Sequence, residues 1–219
     1  MKHWNIGIAI LSDSFLSSIF CHMILSDVTI REQILNGMIK FHPGDETPLD
    51  QILDNIVCAS MDLRLGNKFK IYPQNSTGVL NPFDADGYTP IQEVEVADGH
   101  DFVLQPWDFV LGATKEQFGL PANIVTRVEG RSSLARLGIM VHITGGFIDP
   151  WFGRDKLSTI TLEIKNVNHV AVILRPNMRV CQMAFHLMDR PAQIPYNIKK
   201  SAKYNGQIDP ETSRIYISG

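Results

Sequence analysis

Residues 128–138 read Val-Glu-Gly-Arg-Ser-Ser-Leu-Ala-Arg-Leu-Gly and set two guanidinium groups, Arg131 and Arg136, around two hydroxyls, Ser132 and Ser133. If Ser132 or Ser133 caps a short helix ending near Gly138, free N–H groups, hydroxyls and guanidiniums turn toward one place. Such a cluster holds an anion, and the planar fork of arginine favours phosphate. A capped helix with two solvated arginines fits the same spacing, which does not separate the two readings. Glu163 has the chemistry of a general acid or base. It alternates with apolar neighbours, however, and a strand glutamate opposite an apolar face is ordinarily just solvated. The run Lys199-Lys200-Ser201-Ala202-Lys203-Tyr204-Asn205-Gly206-Gln207 is basic enough to close over a polyphosphate, or simply to be a mobile terminus. His142 reads as a core or hydrogen-bonded histidine.

Most of the elements that must position these groups are strands. Residues 159–165 (Thr-Ile-Thr-Leu-Glu-Ile-Lys) alternate strictly, with Ile160, Leu162 and Ile164 on one face and Thr161, Glu163 and Lys165 on the other. Residues 61–66 and 102–114 are strand-like as well. Residues 170–174, a turn at 175–178 and residues 180–187 predict a β-hairpin. Helix signals are few. Thr29-Ile30-Arg31-Glu32 is a capping-box arrangement opening a short amphipathic helix with Gly37 near its end. Residues 48–57 suggest a second helix, and residues 114–117 suggest a single turn closed by Gly119. Residues 73–99, rich in Pro, Asn, Gly and Asp, read as a long surface excursion. Many short strands with few helices predict a mainly β sandwich or barrel.

The chain has 219 residues, 44% of them hydrophobic and 20% charged, which suits a single globular domain with its own core. A formal charge of -3 gives no general attraction to nucleic acid or anionic lipid. Three scattered cysteines (Cys21, Cys58, Cys181) form no disulfide framework and no zinc spacing, and they fit a reducing, cytoplasmic setting. The sequon at Asn75 is then a chance match. The apolar run at Ile6–Leu11 is broken by Asp13, and no stretch is long enough to span a bilayer, so residues 1–22 read as an extension ahead of Met23. Walker-type loops, Gly-x-Gly-x-x-Gly turns, nucleophile elbows and the His-x-Glu with Pro-Cys-x-x-Cys set of zinc base deaminases do not occur.

Taken together, the segments are specific. Gly130 to Gly138, Val141-His-Ile-Thr144, Phe147-Ile-Asp-Pro150 and Thr161-Leu-Glu163 closely resemble the dCTP deaminase family. So do Pro195-Tyr196, Ala202-Lys-Tyr204 with Gln207, and Ser213-Arg-Ile215. The resemblance starts at Met23-Ile-Leu-Ser-Asp27, includes Asp62-Leu-Arg-Leu-Gly66, and continues in the family's order nearly to the C-terminus. It implies a distorted β-barrel or jelly-roll-like body of dUTPase type with a few short helices. It further implies a domain over residues 23–219 whose tail, from about residue 203, is mobile without ligand, and a homotrimer with sites between subunits.

The implied reaction is hydrolytic deamination of dCTP to dUTP and ammonia, with Mg2+ arriving on the nucleotide, no zinc, and dTTP as an inhibitor. Glu163 would be the general base, Ser132 would hold the attacking water, and Arg136 would orient Glu163. Arg131, Ser133, Lys203 and Gln207 would hold phosphates. Asp149 and Tyr196 would line the sugar and base pocket, and the main chain of Thr161 and Leu162 would read the pyrimidine edge. Leu134 and Ala135 belong to the binding segment between Ser133 and Arg136. Two departures from the family pattern follow. Trp151 stands where glycine is usual, with a connection to the Glu163 strand about four residues longer, which predicts an altered backbone beside the sugar pocket. Thr144-Gly145-Gly146 replaces Thr-Ala-His, and a glycine at the second position also occurs in bifunctional members that form dUMP and pyrophosphate. A bifunctional enzyme is therefore the nearest alternative, and a non-catalytic trimeric nucleotide-binding protein is the next.

Overall fold

The computed structural model describes residues 23–72, 79–83 and 91–217. The 1–22 extension and the Asn75 sequon lie outside the described residues. So does much of the 73–99 excursion, although its last part contains a strand, Gln92–Glu95.

In chain order the elements begin with β1 (Met23–Ile24), α1 (Asp27–Leu35), β2 (Lys40–His42), α2 (Leu49–Leu53), β3 (Ile56–Val57) and β4 (Ser60–Arg64). Next come β5 (Lys68–Ile71), β6 (Gln92–Glu95), β7 (Phe102–Leu104), β8 (Phe109–Ala113), β9 (Gln117–Gly119) and β10 (Ile124–Gly130). After α3 (Ser132–Ala135) follow β11 (Ile139–Met140), β12 (Phe147–Ile148), β13 (Thr161–Asn166), β14 (Val172–Leu174) and β15 (Arg179–Leu187), and a 3-10 turn at Ile215–Ile217. Among the described residues, one antiparallel sheet runs β12-β10-β15-β4-β3 with β1 also on β15, and a second runs β11-β13-β8-β5-β6. Met61, Leu63, Met183 and Phe185 from the first meet Phe69, Val110, Leu162 and Ile164 from the second in one hydrophobic cluster. Fully burying side chains of this size contributes about 1.5–3 kcal/mol each. A mainly β, distorted body with short helices is therefore the observed class, as the sequence predicts. No helix among the described residues is long and apolar enough to cross a membrane.

Four local expectations need correction. Helix α1 starts earlier than the Thr29 capping box: Ser26 is the N-cap, its Oγ accepting from Thr29 N at 3.4 Å. Helix α2 is one short segment, because Ile56–Val57 leaves it to pair with β4. Residues 114–117 are not a helical turn. Thr114 Oγ1 donates to Glu116 O and accepts from Ile160 N, while Gln117–Gly119 pairs with β2. The predicted hairpin is absent too. The turn forms, with Asn177 at φ 70, but β14 pairs with β7 while β15 lies between β10 and β4, so the chain changes sheets there. In the last three cases tertiary partners overrode the local signal.

Candidate active site

Strand β13 places Glu163 as its alternation requires. Leu162 and Ile164 are buried, and Thr161 and Glu163 turn outward opposite Ala113 and Leu111 of β8. On its other side β13 meets β11 only at Lys165 and Asn166, so no strand among the described residues pairs with residues 161–164 along that edge. The Glu163 carboxylate enters an open cleft of about 480 Å³, a size suited to a nucleotide-scale ligand. Its Oε2 accepts from Ile143 N at 2.9 Å and Thr144 N at 3.4 Å. Its Oε1 has no donor among the described residues, and a Cβ at Gly145 would lie 2.8 Å from it. Gly145 is thus the wall against which the carboxylate rests.

The same cleft takes in Thr161, Asp149, Tyr196 and Gln207, with Phe109, Leu111, Phe152 and Ile160 as apolar lining. Asp149 is ion-paired to Lys199 Nζ at 2.7 Å. That ammonium also lies 6.0 Å from the Tyr196 ring centroid, within cation–π range. Tyr196 N donates to Pro150 O, and the Tyr196 hydroxyl accepts from both Lys203 N and Tyr204 N, which fixes the start of the tail. Further on, Gln207 Nε2 donates to Thr159 O and Gln207 O accepts from Thr159 N, while the buried Gln207 Oε1 has no partner among the described residues. The contacts that Lys199 and Tyr204 make here are not legible in the sequence. Both lie within the basic run, but nothing in that run distinguishes a residue that braces the cleft from one that is solvated.

The longer connection after Asp149 is built in rather than loose. Trp151 takes φ 73, the left-handed conformation that favours glycine. Its Nε1 donates to Asp155 Oδ1 at 3.2 Å. Gly153 takes φ 67, and a Cβ there would lie 2.0 Å from Phe118 O, so glycine is required at that position. Arg154 then donates to Met38 O at 2.8 Å and its carbonyl accepts from Lys40 Nζ at 3.0 Å, anchoring the connection to the segment between α1 and β2. Ser158 Oγ accepts from Gly206 N and ties its far end to the tail.

The 131–136 segment lies apart from this cleft within one chain. Neither Ser132 nor Ser133 caps α3: the N-cap is Arg131, without a side-chain cap bond, and Ser132 is the first helical residue. The helix ends at Ala135, before the expected stop near Gly138, and a turn carries the chain to Gly138 at φ 76. Ser132, Ser133, Ala135 and Arg136 are exposed and Leu134 is buried. Arg136 Nη1 donates to Ser132 Oγ at 3.3 Å, and Arg136 makes no ion pair with Glu163 among the described residues. Arg131 pairs with Asp62 at 3.1 Å. Glu163, Thr161, Asp149, Tyr196 and Gln207 are therefore brought together, and Arg131, Ser132, Ser133 and Arg136 form a second group.

Most of this framework falls within one recognisable pattern. A family model described as dCTP deaminase-like matches residues 24–188. The chain belongs to the dCTP deaminase-like family. It is 42% identical over 195 residues to "dCTP deaminase, dUMP-forming" of Dictyoglomus thermophilum, covering 89% of this chain and 96% of that one. It is 40% identical over 196 residues to "dCTP deaminase" of Natronomonas pharaonis, covering 88% and 95% respectively. Among solved structures, the 2'-deoxycytidine 5'-triphosphate deaminase of Agrobacterium tumefaciens superposes with a TM-score of 0.57 at 22% identity, covering 76% of this chain and 47% of that chain, a likeness of fold. The matched span holds both residue groups of this dCTP deaminase-like chain up to Glu163, while Tyr196, Lys199, Lys203 and Gln207 lie beyond it.

Proposed function

We propose that this chain hydrolyses dCTP at cytosine C4, releasing ammonia, with Glu163 as general base and no protein-bound zinc. The observation that carries the proposal is the state of Glu163: a carboxylate in an open cleft, steadied by two main-chain N–H groups, with one oxygen uncommitted. A base of this kind takes a proton from the attacking water and returns protons to N3 and the departing amine. The unpaired edge at residues 161–164 offers main-chain groups to the pyrimidine. Asp149 and Tyr196 flank the sugar. Lys203 and Gln207 on the tail, with Arg131 and Ser133, hold a triphosphate that carries its own Mg2+.

The separation of Ser132 and Arg136 from Glu163 within one chain supports a homotrimer in which a neighbouring copy completes the site. There Ser132 would position the water and stabilise the tetrahedral intermediate, and Arg136 would keep Glu163 ionised. The test is to give Mg·dCTP to the purified chain and follow ammonia. Release at a catalytic rate is expected, and tight dCTP binding without ammonia would replace this reading with a non-catalytic nucleotide-binding protein.

A second reading, deamination carried through to dUMP and pyrophosphate, is favoured by Gly145, which stands directly against the base. The relative from Dictyoglomus thermophilum bears the dUMP-forming name. One pyrophosphate per ammonia supports this reading, and accumulation of dUTP removes it. Gly145→Ala pushes on Glu163 Oε1, and a displacement of this order lowers turnover by up to about 100-fold.

A further inference from the structure

Asp62 on β4 is 7% exposed, and its Oδ2 is shared by two guanidiniums: Arg131 Nη2 at 3.1 Å and Arg179 Nη1 at 3.4 Å. Arg131 Nη1 also donates to the main-chain oxygen of Arg179 at 3.3 Å, so the two arginines are fixed relative to one another. One arginine would be enough to neutralise one buried carboxylate. Two leave a surplus positive charge, and among the described residues neither pairs with a second acid. The surplus faces outward, since the Arg179 side chain is 49% exposed.

A local irregularity brings Arg179 there. Arg179 pairs with Arg64 but Cys181 pairs with Leu63, so β15 carries an extra residue at Val180, and Val180 and Cys181 are both buried in succession. In an unbroken strand Arg179 would share the inward face of Cys181 and Met183. The bulge turns it out.

We infer that Arg179 is a substrate-binding residue, a second guanidinium that acts with Arg131 on the polyphosphate of the substrate while Asp62 holds the pair in register. This rests on the proposed reading of the site as a nucleoside triphosphate site. The class of ligand follows from the chemistry: two guanidiniums locked side by side with exposed N–H groups match adjacent phosphate oxygens of a polyanion.

The experiment compares wild-type protein with Arg179→Ala and Arg179→Lys, measuring kcat and KM for dCTP through ammonia release and, separately, the Kd of inorganic tripolyphosphate by calorimetry. For Arg179→Ala, the KM and the tripolyphosphate Kd are both expected to rise about tenfold, equivalent to about 1.4 kcal/mol. kcat should change much less than KM, and lysine should restore part of the loss. The wild-type dependence of binding on salt should be steeper than that of Arg179→Ala, which a purely structural arginine would leave alone. Unchanged tripolyphosphate binding in folded Arg179→Ala overturns the inference even if dCTP is deaminated. Weakened tripolyphosphate binding upholds the anion site even if the wild type releases no ammonia. If Arg179→Ala does not fold, the same comparison is made on Arg179→Lys, where a tripolyphosphate Kd equal to wild type counts against the inference.

Discussion

Glu116 and Glu163 are the same side chain in two opposite settings. Glu116 is fully buried, with Oε1 2.6 Å from Arg64 Nε and Oε2 accepting from Arg64 N at 2.8 Å. Arg64 is itself held by Asp45, Thr47 and Pro43 O. Burial pushes the Glu116 carboxyl up from the ordinary carboxylate range, and the Arg64 guanidinium opposes that shift. Glu163 makes no ion pair among the described residues, takes two main-chain N–H groups on one oxygen, and opens the other to a cleft. Both Glu116 oxygens are committed to Arg64 and the fold. One Glu163 oxygen is left uncommitted, which is the difference that the proposed role of Glu163 rests on.

Three substitutions test the contrast between these two glutamates. The largest expected effect is on chemistry: Glu163→Gln should lower ammonia release by at least about 10²–10⁴-fold, the usual weight of a general base. Its dCTP affinity and melting temperature should stay close to wild type. Ammonia release within a few fold of wild type would end the distinction drawn here. Next, Arg64→Ala should cost about 3–5 kcal/mol in denaturant unfolding, because it strands a buried carboxylate. A loss under about 1 kcal/mol would mean that Glu116 is not held as described. The smallest effect concerns Asp45. Burial tends to raise its carboxyl, but Lys115, Thr47 and Arg64 together hold it well below the usual range. A depressed carboxylate stabilises fully above its unfolded pKa, about 3.9, and loses that contribution as pH falls toward the folded value. Asp45→Asn should therefore cost about 1 kcal/mol at neutral pH after solvent screening, and progressively less as the pH is lowered below about 3.9. A penalty that does not shrink on acidification would assign the effect to shape instead of charge.

The strict alternation of residues 159–165 made β13 and the outward turn of Glu163 legible, because a strand of period two leaves side chains no other choice. The apolar runs likewise announced a mainly β class. What local pattern could not carry was pairing. Nothing in residues 170–187 says that the turn at Asn177 hands the chain to another sheet, because the partners, Phe102–Leu104 and Ile124–Gly130, lie far away in sequence. The Thr114–Gln117 signal failed for the same reason: Arg64, 52 residues away, claims the Glu116 carboxylate. Within the site, the residue types of Arg131, Ser132, Arg136 and Glu163 were readable by resemblance. The sharing of Asp62 between two arginines was not, since it depends on an extra residue in β15.

The backbone at Trp151 is set by its surroundings and not by the residue itself. A tryptophan in a conformation that usually selects glycine costs on the order of 1–2 kcal/mol locally, so the surrounding chain must dictate that conformation. Its indole bond to Asp155 and the anchors at Gly153 and Arg154 give that dictation a physical form. The connection beside the cleft is therefore set by its fastenings, and cutting the anchor at Arg154 would free the Trp151 backbone to relax toward a conformation that its own side chain prefers.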